Sequence, residues 1–286
     1  MKYEEFENEI KLKLNNKIGP RLLLKIINSP YRYYSLLNPF DFKIKLKQSF
    51  LRTQENDYFK YINQLIDLFF AQKGYQQSEN LFLVKNDNKE FLEEENNQEE
   101  YVKIRFNHSY LSEEEIIFIW QRKRDDLSIK KADELFENCI KQISLLIDKF
   151  KDKKIKFYLW FMEDNFVQNK FIFNELCDKK AQLGNNIKFN VFYGSELFKE
   201  FADEEFWISM EINQTKFKLN NQNLFNELPN LDTDPETYEF MLTLSNSAWE
   251  KLISQEKIYI EIRKQLFDLH NPDSNFFKVL KERKID

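Results

Sequence analysis

Glycine occurs only 4 times in 286 residues. That scarcity excludes the glycine-rich turns that cradle nucleotide phosphates, and no nucleophile-elbow motif G-x-S-x-G is present either. Histidine occurs twice, at His108 and His270, too far apart in sequence for a local metal motif. His108 follows a strand-like run beside Asn107 and Ser109 and is expected to be a surface loop residue. The two cysteines, Cys139 and Cys177, lie inside amphipathic helix-like runs, which points to core packing and away from a disulfide framework or a zinc site. No window approaches the roughly 18 uninterrupted apolar residues of a membrane span. The opening MKYEEFENEI also lacks an apolar signal region, so a cytoplasmic protein without a membrane partner is expected.

What is present is apolar and aromatic: 42% hydrophobic residues, with 29 Phe and 13 Tyr. This is enough for a sizeable core in one large domain or two smaller ones. The net charge of -5 does not announce a nucleic-acid binder, so the distribution of charge matters more than its sum.

Periodicity divides the chain into three regions. Residues 1–74 read as helical: EFENEIKLKL, then RLLLKII after a break at Gly19 and Pro20, then a long amphipathic helix ending at Gly74. Between them, NSPYRYYSLLNPFDF reads as a loop whose aromatic cluster packs on the core. From 75 to 205 the pattern becomes α/β. LFLVKN and YVKIRF have strand character and flank an acidic stretch, 87–100, expected to be solvated or disordered. EIIFIWQRK, KIKFYLWFM and IKFNVFYG then alternate with helical runs, as βαβ crossovers in a mixed sheet require. Residues 206–286 return to helical patterns, with Asp234 before Pro235 predicting an N-cap. The three regions are expected to pack as one compact unit.

The chemistry concentrates at IIFIWQRKRDD, residues 116–126, where a buried strand ends in charge. A magnesium-dependent nuclease needs carboxylates to hold the cation and a lysine beside the phosphate. Two such residues spaced i, i+2 share one face of a strand. IWQRKRDDLSIKK at 119–131 resembles the E-Q-K-x-R-D-D-H-D-S-x-K-K run of a subgroup of bacterial type II restriction endonucleases in the PD-(D/E)XK superfamily. The similarity extends to IGPRLLLKIINSPYRYYSLLNPFDFK, SFLRTQEN and FYGSELF, and so covers nearly the whole chain. It implies a nuclease-like α/β core with a mixed central sheet flanked by helices, within a restriction-modification system.

Carried over residue by residue, the resemblance departs where catalysis would lie. Matching Arg124, Asp125 and Asp126 to the R-D-D block puts Gln121 on the family's glutamine, Trp120 on its metal-binding glutamate and Arg122 on its catalytic lysine. Lys103, in VKIRF, falls on the aspartate supplied by the preceding strand. The local formal charge thereby moves from about -1 to about +2, which repels a cation and favours a phosphate. Shifting the register by one residue instead makes Gln121 and Lys123 a Q-x-K pair, with Asp125, Asp126 or Glu55 left to carry metal. Lys103, Arg122, Arg124, Lys130 and Lys131 are candidate DNA phosphate contacts.

Three functions remain open on this reading. One is a DNA-binding subunit with a dead nuclease site and no cofactor, in a homo- or heterodimer with a related, active nuclease subunit. The second is an Mg²⁺-dependent site-specific endonuclease using Gln121 and Lys123. The third is a regulatory protein that uses the fold to bind another protein, with 87–100 as its interaction segment.

Overall fold

The structure is a computed structural model and describes residues 1–15, 17–35, 37–85, 101–150, 152–180, 183–184 and 186–283. The acidic 87–100 stretch lies outside the described residues. In chain order the elements are α1 (Tyr3–Asn15), α2 (Ile18–Asn28), α3 (Phe42–Gln72), β1 (Gln76–Gln77), β2 (Leu81–Lys85), β3 (Tyr101–Arg105), β4 (His108–Leu111) and β5 (Glu115–Arg122). They continue with α4 (Ile129–Leu146), β6 (Lys154–Phe161), α5 (Lys170–Lys180), β7 (Ile187–Tyr193), α6 (Glu196–Lys199) and α7 (Glu204–Asn220). The chain closes with α8 (Pro235–Leu242), α9 (Asn246–Ile253), α10 (Lys257–Leu266) and α11 (Asn275–Glu282).

The chain forms two compact units. One comprises Gln64–Ile212 with Met1, and the other Lys2–Asn63 with Asn213–Asp286. The two terminal helical regions of the sequence thus belong to the same unit, while α3 and α7 each contribute to both.

The first unit is α/β. Its mixed sheet has the order β1-β4-β5-β6-β7, with β1, β4 and β5 antiparallel and β5, β6 and β7 parallel. Each parallel step is made by one crossover helix, α4 or α5, as a parallel connection requires. Side-chain alternation sorts the strands onto two faces. Ile116, Phe118, Phe157, Leu159, Phe161 and Phe189 pack with Phe136, Cys139 and Ile143 of α4 and Phe173 of α5. On the other face, Tyr158 meets Phe201, Trp160 meets Phe198 and Trp207, and Tyr110 stacks on Phe70 of α3 at 4.0 Å. The runs LFLVK and YVKIR do pair with each other, but as a separate antiparallel ribbon of β2 and β3. The antiparallel neighbour of β5 is β4, which the polar sequence HSYL conceals.

His108 corrects the sequence expectation. It lies within β4, is only 2% exposed, and its ring nitrogens bond Asp67 Oδ1 at 3.2 Å and Gln121 Oε1 at 2.9 Å. Those partners offset the cost of burying the imidazole, which sequence neighbours gave no sign of.

The second unit is helical around Leu22, Leu23, Ile26, Phe50, Trp249, Leu252, Ile262 and Phe276. Asp234 caps α8 by accepting from Thr237 N at 2.9 Å. Gly19 lies where α2 approaches this cap, and a Cβ there runs into Thr237 Oγ1 and Asp234 Oδ2. Of the five aromatics in this stretch, Tyr33 and Phe42 are buried in the core, Tyr33 bonding Ser49, whereas Tyr31, Tyr34 and Phe40 are exposed. The expectation that the cluster as a whole packs on the core is therefore corrected.

Glu115, at the start of β5, carries a pH prediction. Burial pulls its pKa up, but hydrogen bonds from Lys156 and Tyr75 and the Lys156 charge outweigh this, so the carboxyl sits below its ordinary 4.5. A carboxyl depressed by folding stabilises above its unfolded pKa, and that stability is lost as pH falls through the folded value. Glu115→Gln is expected to flatten the fall in melting temperature below pH 4.5, as read by thermal denaturation across pH. An unchanged acid limb would refute it.

Candidate functional site

Strand β5 ends where the carboxyl ends of β5, β6 and β7 meet, the edge at which open α/β sheets generally place ligands. A cleft of about 320 Å³ opens beside it. Lys103 and Arg105 enter from β3, both exposed because they alternate with buried Ile104. Trp120 and Arg122 enter from β5, and the middle of α4 adds Asn138 and Gln142 beside Leu135 and Cys139. Their spacing of three and four residues puts these four on one stripe of α4.

The lining carries three cations and no carboxylate. Trp120 fills the apolar end of the cleft, its ring 4.6 Å from Phe106 and 6.0 Å from Phe157. Burial pushes the Cys139 thiol up to about 12, with Arg122 working against that rise, so the sulfur stays a neutral part of the wall.

Gln121 lines the cleft, but its carboxamide is held elsewhere. Oε1 meets His108 Nε2, Nε2 donates to Met162 Sδ at 2.7 Å, and the backbone N–H donates to Asn107 Oδ1 at 2.8 Å. Through His108 the amide is tied to Asp67, on the side of the sheet covered by α3. Lys123 follows β5, and its carbonyl continues the pairing with β6 by accepting from Glu163 N.

The two aspartates of the R-D-D block have different surroundings. Asp125 is fully buried and accepts from Asn169 N and Nδ2, both at 2.7 Å, and from the Tyr193 hydroxyl at 2.8 Å. It clamps the segment after β5 to the segment before α5 and to the end of β7. Asp126 is exposed. Arg124 lies 3.9 Å from Glu163 and over the Phe166 ring. Lys130 and Lys131 are exposed on the first turn of α4, Lys130 within 3.8 Å of Glu134, and neither lines the cleft. Glu55 belongs to the other unit and lines a cleft there.

No family profile, curated protein or solved structure matches the chain.

A magnesium ion requires several oxygen ligands. Among the described residues no group of three or more His, Cys, Asp or Glu is placed to hold a metal. With the Asp125 oxygens taken by three donors, the donor set at the end of β5 does not fit the ion. It fits an anion instead: Lys and Arg present donors only, and Arg122 offers a planar fork to phosphate oxygens. Arg105, Asn107, Asn138 and Gln142 were missed in the sequence. Arg105 was legible as the i+2 partner of Lys103 on one strand face, whereas Asn138 and Gln142 lie on a helix stripe that reads as core.

Proposed function

We propose that the chain is a DNA-binding homologue or subunit of type II restriction endonucleases, with a nuclease-like core whose catalytic positions have been replaced. In this reading Lys103, Arg105 and Arg122 each hold a backbone phosphate of double-stranded DNA at and beside the slot where the family cuts. The single observation that carries it is that Trp120 and Arg122 share one strand face and meet Lys103 in a cleft lined by no carboxylate. Cleavage is then supplied by a related, active subunit in a heterodimer, an arrangement suited to an asymmetric target because unlike subunits need no palindrome. The register that would use Gln121 and Lys123 is disfavoured by the engagement of the Gln121 amide with His108 and Met162.

The purified protein is expected to retard duplex DNA at about 50 mM salt and to leave supercoiled plasmid intact with Mg²⁺. Three phosphate contacts imply a log-log salt slope near -2.7, or about a 40-fold loss of affinity between ~50 and ~200 mM. Linear or nicked plasmid would overturn the non-cleaving reading, and no retardation at any salt would overturn DNA binding.

A further inference from the structure

Charge is spread unevenly over the helical unit. From Arg32 to Arg52 the chain holds five cations, Arg32, Lys43, Lys45, Lys47 and Arg52, against one carboxylate, Asp41, although its overall net charge is -5. Asp41 is engaged locally, accepting from Ile44 N at 2.8 Å at the start of α3. Among the described residues none of the five cations forms an ion pair, whereas Lys73, Lys156, Lys170 and Lys188 of the other unit each do. Lys45 and Lys47 donate only to neutral oxygens, those of the Gln48 side chain and the Asn226 carbonyl. Like charges grouped without carboxylates repel one another, and an anionic occupant relieves that repulsion.

The same stretch exposes aromatic rings. Tyr31 is 70% exposed, Phe40 51% and Tyr34 41%. Pro30 and Pro39 fix the backbone at two points of the loop, and buried Tyr33 and Phe42 anchor it, so the exposed rings stand on a held scaffold. On the first three turns of α3, exposed Lys43, Lys47 and Arg52 carry the positive charge over about 14 Å of helix. Glu256 bounds the surface at one end, since it and Tyr31 both neighbour Tyr259.

We propose that the 31–40 loop and the start of α3 bind single-stranded nucleic acid, the exposed rings stacking on unpaired bases and the cations following the phosphates. Sequence-tolerant single-strand sites combine these two parts, a basic track for the backbone and aromatic faces for the bases. A duplex keeps its base faces inside the stack and leaves the rings without partners. A helix lying on a membrane presents a continuous apolar face, which Lys47, Gln48 and Arg52 interrupt on α3. This surface belongs to the other unit from the basic cleft and does not rest on the duplex-binding reading.

Fluorescence anisotropy with a labelled oligothymidylate of roughly 20 nucleotides at about 50 mM salt tests it, beside a blunt duplex of equal length. Tyr31→Ala with Phe40→Ala is expected to weaken oligothymidylate binding about 25-fold or more, at about fivefold or more for each ring lost. Tyr31→Phe keeps the ring and should bind as the wild type does. Lys43→Ala, Lys45→Ala and Lys47→Ala together should shallow the single-strand salt slope by about two. All these side chains are exposed or half-exposed, so the melting temperature should move by no more than a degree or two. No binding of oligothymidylate would overturn the proposal, as would a triple-lysine loss without a ring loss, which marks a surface for any polyanion. A duplex affinity that falls equally in the ring variant would overturn its single-strand character. Loss confined to Lys103→Ala with Arg122→Ala would put the strand in the basic cleft instead, and binding to phosphatidylserine vesicles without binding to oligothymidylate would make the surface a membrane contact.

Discussion

Asp125→Ala is expected to be the most destabilising single substitution at the end of β5, costing about 3–5 kcal/mol. Each buried donor stripped of its acceptor costs about 1–3 kcal/mol, and the change strands Asn169 N–H and the Tyr193 hydroxyl while halving the pairing of Asn169 Nδ2. Nδ2 keeps its bond to the Leu127 carbonyl, which places the total below three full penalties. For a unit of this size the loss corresponds to a melting temperature lower by roughly 6–20 °C. Asp125→Asn should fall in between, because it retains one acceptor oxygen. If Asp125 were a metal ligand, magnesium would raise the melting temperature of the wild-type protein but not of Asp125→Asn. The clamp geometry predicts equal, negligible magnesium effects on both, measured by thermal denaturation with and without the ion.

Charge reversal in the basic cleft should have the largest effect on binding. Lys103→Glu with Arg122→Glu removes two phosphate contacts and sets two negative charges against the DNA backbone, so duplex affinity at about 50 mM salt should drop about 100-fold or more. The neutral pair Lys103→Ala with Arg122→Ala separates contact from repulsion, since each lost phosphate contact should shallow the salt slope by about one. Both residues are exposed, so neither pair should alter the melting temperature by more than a degree or two. Lys130→Ala with Lys131→Ala is the internal comparison, because those side chains lie outside the cleft. If the Lys130 and Lys131 pair weakened binding as much as the cleft pair, the phosphate would have to lie over the start of α4. Titrations followed by fluorescence anisotropy at several salt concentrations distinguish these outcomes.

The strands and helices of the core were largely legible because their patterns are strong. EIIFIW, KIKFYLWF and IKFNVFY are apolar runs of strand length, and two runs of helical period separate them, which leaves a parallel sheet as the simple solution. HSYL was not legible as the antiparallel neighbour of β5, because burial of His108 there depends on Asp67 and Gln121, which lie far away in sequence. The pairing of β2 with β3 in a separate ribbon was hidden for a related reason, since local pattern says that a segment is a strand but not which sheet it joins.

At the candidate site, sequence alone determined the chemistry of the residues: a strand with Trp120 and Arg122 at alternate positions, and a lysine at position 103. Alternation is a property of the extended backbone, so their common face follows without knowledge of the fold. Tertiary structure alone decided how the charged and polar residues nearby divide. It placed Arg105, Asn138 and Gln142 around the cleft, turned the Gln121 amide to His108 and Met162, left Lys130 and Lys131 outside, and buried Asp125 under Asn169 and Tyr193. The physical reason is that a polar side chain's role depends on which partners reach it within hydrogen-bonding distance. Those partners come from β3, β4, α4, β7 and the segments after β6 and before α5, whose approach to β5 is set by packing around the sheet and has no local signature in the chain.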